Sequence, residues 1–143
     1  MAPTTKKAVR QFLGLCSYYR DYIEDFAKKA APLHKLTSKK VLWQWTNREE
    51  EAFGILKQCL TTAPVIQLFD PSKPIFIDTD ASGTALGGVL TQPGEAGGEH
   101  VVAYFSRCLN KAEANYCVTR KELLAVLESL RHWKHLIAGQ LIV

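Results

Sequence analysis

The apolar positions change period near the middle of the chain. In the first half, Val9, Phe12, Leu13, Cys16 and Tyr19 recur every three and four residues, with Lys6, Lys7 and Arg10 on the other side. That spacing predicts an amphipathic helix capped by Thr4 or Thr5 and ending near Tyr22. Ile23, Phe26, Ala27, Ala30 and Leu33 form a second stripe, expected to break at Pro32 before a polar loop at Thr37–Lys40. Trp43 and Trp45 flank Gln44 in a short extended piece. Thr46-Asn47-Arg48-Glu49 has the S/T-x-x-E form of a capping box and opens a helix with Ala52, Phe53, Leu56 and Leu60 inward, stopping before Pro64.

After the turn at Asp70-Pro71-Ser72 the period becomes two. Strands are expected from Ile75-Phe76-Ile77, over Ala85–Gln92 and over Val101–Ser106, with a glycine-rich hairpin at Pro93–Gly98. Thr119-Arg120-Lys121-Glu122 predicts a second capping box. Its helix would carry Leu123, Leu124, Leu127, Leu130 and Leu136 inward and end near Ala138-Gly139. Leu141-Ile142-Val143 then starts a fourth strand, which the sequence leaves incomplete. The fold class expected is α+β, in two parts: a helical segment over residues 1–72 and a β-β-β-α-β unit over 73–143.

Composition narrows the function classes. A chain of 143 residues, 47% hydrophobic and 22% charged, is apolar enough to bury a core. No apolar run approaches the roughly eighteen residues that a membrane span needs, and the N-terminus lacks a secretory core, so no membrane partner and a cytoplasmic location are expected. Cys16, Cys59, Cys108 and Cys117 form no CxxC pair and read as buried free thiols rather than as zinc ligands or a disulfide framework. The net charge of +4 lies entirely in residues 1–72, which hold 11 Lys/Arg against 7 Asp/Glu; residues 73–143 hold 7 of each. The surplus is densest at Lys28, Lys29, Lys35, Lys39 and Lys40, a patch able to release counterions from a phosphate backbone, although a run of this size also suits a merely solvated face.

The segment Asp78-Thr79-Asp80-Ala81-Ser82-Gly83 sets carboxylates directly after an apolar strand, a position suited to a hard cation. A calcium loop would need a bidentate Glu where Val89 stands. A phosphatase of the DxD type would use Asp78 as nucleophile and Asp80 as acid, but too little chain follows for its remaining groups. A solvated turn is the plain structural alternative.

A fourth reading draws on residues along most of the chain. Thr79-Asp80-Ala81-Ser82, followed by Leu86-Gly87-Gly88-Val89-Leu90-Thr91-Gln92, resembles the opening of RNase H domains in gypsy-type LTR retrotransposons. Val102-Ala103-Tyr104-Phe105-Ser106-Arg107 is similar to the third strand of those domains, and Asn115-Tyr116 with Lys121-Glu122-Leu123-Leu124-Ala125 to their helix start. Upstream, Phe12-Leu13-Gly14-Leu15, Tyr18-Tyr19-Arg20, Trp45-Thr46, Ala52-Phe53 and Ala63-Pro64 resemble the end of the reverse transcriptase in the same elements.

The resemblance implies a reverse transcriptase thumb/connection segment over 1–72 and an incomplete RNase H-like domain over 73–143, within a Pol polyprotein. It implies that Asp80 and Glu122 are catalytic, metal-binding carboxylates, whereas Asp78 falls at a variable position. Mg²⁺ or Mn²⁺ is the implied cofactor, because two metals flanking a scissile phosphate activate water and stabilise the leaving oxygen. Two carboxylates supply −2 against +4 for two ions, so the isolated chain is expected to bind metal weakly and to be catalytically incomplete. The polymerase Asp-Asp motif is absent. The implied partners are an RNA–DNA hybrid or other nucleic acid and the rest of the polyprotein. The alternative is a non-catalytic module, derived from a retroelement, that binds nucleic acid or protein.

Overall fold

The computed structural model describes residues 1–62 and 67–142. Pro64, and Val143 of the expected last strand, lie outside the described residues, while the helix expected to stop before Pro64 does so, at Thr61. The helical half comprises α1 (Lys6–Tyr18), a 3-10 turn (Arg20–Tyr22), α2 (Phe26–Leu36) and α3 (Asn47–Thr61). The second half comprises β1 (Phe76–Ala81), β2 (Ala85–Pro93) and β3 (Glu99–Cys108), then α4 (Lys111–Ala114), α5 (Val118–His132) and α6 (Lys134–Ile137). The strands form an antiparallel sheet in the order β1-β2-β3. On the far side of β1, Ile142 makes a parallel bridge to Ile75, so the start of the expected fourth strand sits beside β1.

Two apolar cores result. Val9, Leu13, Cys16, Phe26, Leu33 and Leu56 join α1, α2 and α3, while Ile75, Leu90, Val102, Phe105 and Trp133 join the sheet to the end of α5. The first box is realised: the Thr46 hydroxyl accepts from Arg48 N–H, and Glu49 accepts from Thr46 N–H at 2.9 Å. That bonding, led by the Thr46 hydroxyl, holds the Glu49 carboxyl below its ordinary pKa.

Five expectations need correction. Pro32 does not end α2, which runs on to Leu36 because Leu33 and Leu36 are buried in the first core; that burial outweighs the one backbone bond that proline removes. Thr119 is not a cap, since Lys121 N–H already donates to Cys117 O at 3.1 Å and α5 begins at Val118. The long helix divides at Trp133, whose indole is drawn into the second core. Leu123 and Leu127 do not point inward: Ala125 and Ser129 are the buried positions of α5, and Leu123 is 67% exposed. Of the four free thiols only Cys16 is fully buried, which pushes its pKa up to about 11. Cys108 and Cys117 are exposed.

The two halves are in direct contact. Ala27 N–H donates to Ser106 Oγ at 2.9 Å, and Arg20 Nη2 donates to Ser106 O at 2.7 Å. Asp21 and His132 approach to 3.4 Å. Ser106 therefore anchors the helical half to β3.

Candidate functional site

Pleating decides where the acids of β1 go. Ile77 packs into the core under α5, so Thr79 shares that face and Asp78 and Asp80 take the other. Both acids lie inside the strand rather than after it, a further correction to the expected layout. Asp80 is in register with Gly87, and Gly87 with Ser106, the residue that holds α2. A Cβ on Gly87 would come within 3.1 Å of Asp25 Oδ1, so glycine here admits the start of α2. Asp80 thus opens into a cleft shared with Glu24, Asp25, Asp78 and Tyr104. Burial raises the Tyr104 hydroxyl pKa, and the Glu24 charge adds to it.

Glu122 belongs to α5, on the opposite face. Gly88, which pairs with Thr79, lies against Ser129 and Trp133. Trp133 shares its core with Ile75 at the start of β1, so α5 runs antiparallel to that strand. Seven residues before Ser129, about 10 Å along the helix, Glu122 reaches the end of the sheet where Asp80 lies. Both carboxylates are exposed and, among the described residues, neither makes a hydrogen bond or ion pair. Among the described residues no group of three or more His, Cys, Asp or Glu side chains gathers around one point. Asp80 and Glu122 alone therefore do not fit a complete two-ion site.

The basic residues are dispersed. Lys28 lines a small pocket with Asp25, Asp80 and Ser82, and Lys35 follows it seven positions on along α2; Lys29 is turned toward an adjoining cleft that shares Glu24 and Tyr104 with that of Asp80. Lys39 and Lys40 occupy the tip of a turn closed by Val41 N–H donating to Ser38 O at 3.4 Å. Lys6 and Arg10 bond carbonyls of that loop, at Ser38, Val41 and Thr37.

One network was missed by sequence reasoning. The Arg107 guanidinium makes two bonds to Glu113, at 2.9 and 3.1 Å, and its Nε lies 3.6 Å from Glu128. The paired guanidinium holds the Glu113 carboxyl below its ordinary pKa, and Glu113 in turn raises that of Arg107. It ties β3, α4 and α5 together ahead of Glu122. The pattern Asn110-Lys111-Ala112-Glu113 was a legible signal, since it forms a capping box at α4.

No helix among the described residues is long and apolar enough to cross a membrane. Residues 45–143 match the family described as the RNase H-like domain found in reverse transcriptase. The Transposon Tf2-3 and Tf2-4 polyproteins of Schizosaccharomyces pombe are each 42% identical over 133 residues, 93% of this chain. The chain spans only 10% of those polyproteins. Among solved structures, the foamy viral protease-reverse transcriptase in complex with an RNA/DNA hybrid superposes with a TM-score of 0.80 at 23% identity, over 99% of this chain and 19% of that one. The same protein in complex with dsDNA gives 0.81 at 23% identity, over 99% and 30%. At that identity the likeness establishes the fold: helices beside an antiparallel sheet, as in the RNase H-like region of a reverse transcriptase. The chain belongs to the family of RNase H-like domains found in reverse transcriptases, of the kind carried in retroelement Pol polyproteins.

Proposed function

We propose that this chain serves, within a longer polyprotein, in hydrolysis of the RNA strand of RNA–DNA hybrids, beside DNA synthesis from an RNA template. Residues 1–72 are read as a thumb/connection segment and 73–143 as RNase H-like, acting in the cytoplasm. Asp80 and Glu122 are read as two of the carboxylates that take up Mg²⁺ or Mn²⁺. The observation that carries the reading is that two separate elements bring Asp80 and Glu122 toward the same end of the sheet, from its opposite faces, at positions matching the family's motif. Divalent ions are usual in this family and supply activation of water at a scissile phosphate.

Further oxygen donors are needed beside the two carboxylates, so residues 1–143 alone are expected to lack hybrid cleavage. Lys28, Lys29, Lys35, Lys39 and Lys40 are read as backbone contacts, in keeping with neighbours solved on RNA/DNA hybrid and dsDNA. The test is a chimera in which residues 1–143 replace the matching segment of the Tf2-3 polyprotein, with the unsubstituted polyprotein as control. Mg²⁺-dependent RNA cleavage by the chimera, lowered at least about a hundredfold by Asp80→Asn and by Glu122→Gln, is the expected result. An Asp80→Asn chimera as active as its parent, with the control active, would remove Asp80 from the chemistry.

A non-catalytic binding role is the second reading. The opposite faces from which the two acids rise favour it. Salt-sensitive hybrid binding by a chimera that shows no cleavage would support it.

A further inference from the structure

The loop between α2 and α3 carries two tryptophans in different situations. Trp45 is half-buried, packs edge-on to Phe53 at 6.1 Å and donates its indole N–H to Glu50 at 2.6 Å. Its role is structural. Trp43 lies on its outer side, ring centroids 5.9 Å apart and planes inclined by 23°, and remains 37% exposed. Nothing in the first core requires it. Preceding it, Leu42 is 88% exposed, and Lys39 and Lys40 form the tip of the Ser38–Val41 turn.

The loop is held in place from below. Lys6 Nζ donates to Ser38 O at 2.7 Å and also to Val41 O, and Arg10 Nη2 donates to Thr37 O at 2.9 Å. Two cations of α1 thereby hold the loop's carbonyls, and among the described residues its own two lysines make no ion pair. A flat indole already stacked on one side, with two cations no more than about 15 Å away along the chain, suits a nucleic-acid strand. Aromatic rings stack on any base, and lysines neutralise phosphates without regard to sequence.

We propose that Trp43, Lys39 and Lys40 form a contact for single-stranded nucleic acid, one base stacking on the outer face of Trp43 and adjoining phosphates pairing with the two lysines. The proposal rests on the reading of this chain as part of a nucleic-acid-processing polyprotein and gives that reading a specific element and strand type. Leu42 and Trp43 with two lysines would also suit an anionic lipid surface; the stacking of Trp43 on Trp45, which presents a ring face rather than an edge, favours a base.

The test uses residues 1–143 with a labelled single-stranded oligonucleotide of mixed sequence, followed by anisotropy and by tryptophan quenching across a salt series. Wild-type chain is expected to bind at low salt with quenching. Trp43→Ala should weaken binding about tenfold, within the range for loss of one stacked base, and abolish most of the quenching; Trp43→Phe should keep most of the affinity. Lys39→Gln with Lys40→Gln should lower the slope of log K against log salt by about 1.4. Melting curves show whether each variant is folded, and the exposure of Trp43 leads us to expect no change. Wild-type binding to single strands that Trp43→Ala leaves intact overturns the proposal, as does binding to vesicles containing phosphatidylserine but not to the oligonucleotide. In both cases affinity for an RNA–DNA hybrid, measured in parallel, shows whether the broader reading survives. Binding to neither single strand nor hybrid removes both.

Discussion

Helices α3 and α5 are both 15 residues long and both carry an S/T-x-x-E pattern near their start, yet they are stabilised differently. The first turn of α3 is closed by its own side chains, and Ala52 and Leu56 enter the first core. In α5 the N-cap is Cys117, with no side-chain bond, and the helix is held by what it lies on: Ala125 and Ser129 against the sheet, and Glu128 paired with Arg107. Its leucines at 123 and 127 are exposed. A helix fixed by its own sequence tolerates changes in its neighbours. A helix fixed by the surface beneath it depends on close approach, here permitted by Gly88.

Substitutions should separate the two cases. Leu56→Ala in α3 is expected to cost about 2–5 kcal/mol, because a fully buried side chain leaves a cavity, while Leu123→Ala in α5 should stay within about 0.5 kcal/mol. Denaturant unfolding measures both, and equal losses would break the comparison. Gly88→Ala is next, at about 1–3 kcal/mol: the new Cβ would lie 2.6 Å from Ser129 Oγ. Since that oxygen is buried without a partner among the described residues, Ser129→Ala alone should be close to neutral and should recover part of the Gly88→Ala loss in the double variant.

Smaller still is the cap. Thr46→Ala should cost about 1 kcal/mol and Thr119→Ala almost nothing, although both threonines stand in the same pattern. The smallest effects are those of pH. Burial lowers the pKa of His34, so its folded form resists protonation; stability should fall as pH drops through the ordinary histidine range, and His34→Gln should flatten that slope. Glu113 has a lowered pKa through Arg107, so its contribution is present above the ordinary glutamate range and lost as pH falls through the lower folded value. Glu113→Gln should remove that acid-sensitive part from the melting temperature.

Local chemistry was readable in the sequence where one turn of chain contains all the partners. The Thr46–Glu49 cap is of that kind, and the strands were readable from their period of two. Pro32 was misread because its local penalty is outweighed by contacts with other helices. Thr119 was misread because a helix can begin two residues earlier when tertiary packing, rather than a cap, selects the start. The bond from Ala27 to Ser106 spans 79 residues and had no signal at all, although it decides which face of the sheet meets α2. Of the candidate site, the identities of Asp80 and Glu122 came from motif resemblance. Their rise from opposite faces required the register of β1 against β2 and the seat of α5.

The most direct measurement of the central claim is Mg²⁺-dependent cleavage of the RNA strand of an RNA–DNA hybrid by the Tf2-3 chimera, its Asp80→Asn variant and residues 1–143 alone. The account predicts cleavage by the chimera, at least about a hundredfold less with Asp80→Asn, and none by residues 1–143. Cleavage by the chimera undiminished in its Asp80→Asn variant, or Mg²⁺-dependent cleavage by residues 1–143 that Asp80→Asn abolishes, would contradict it.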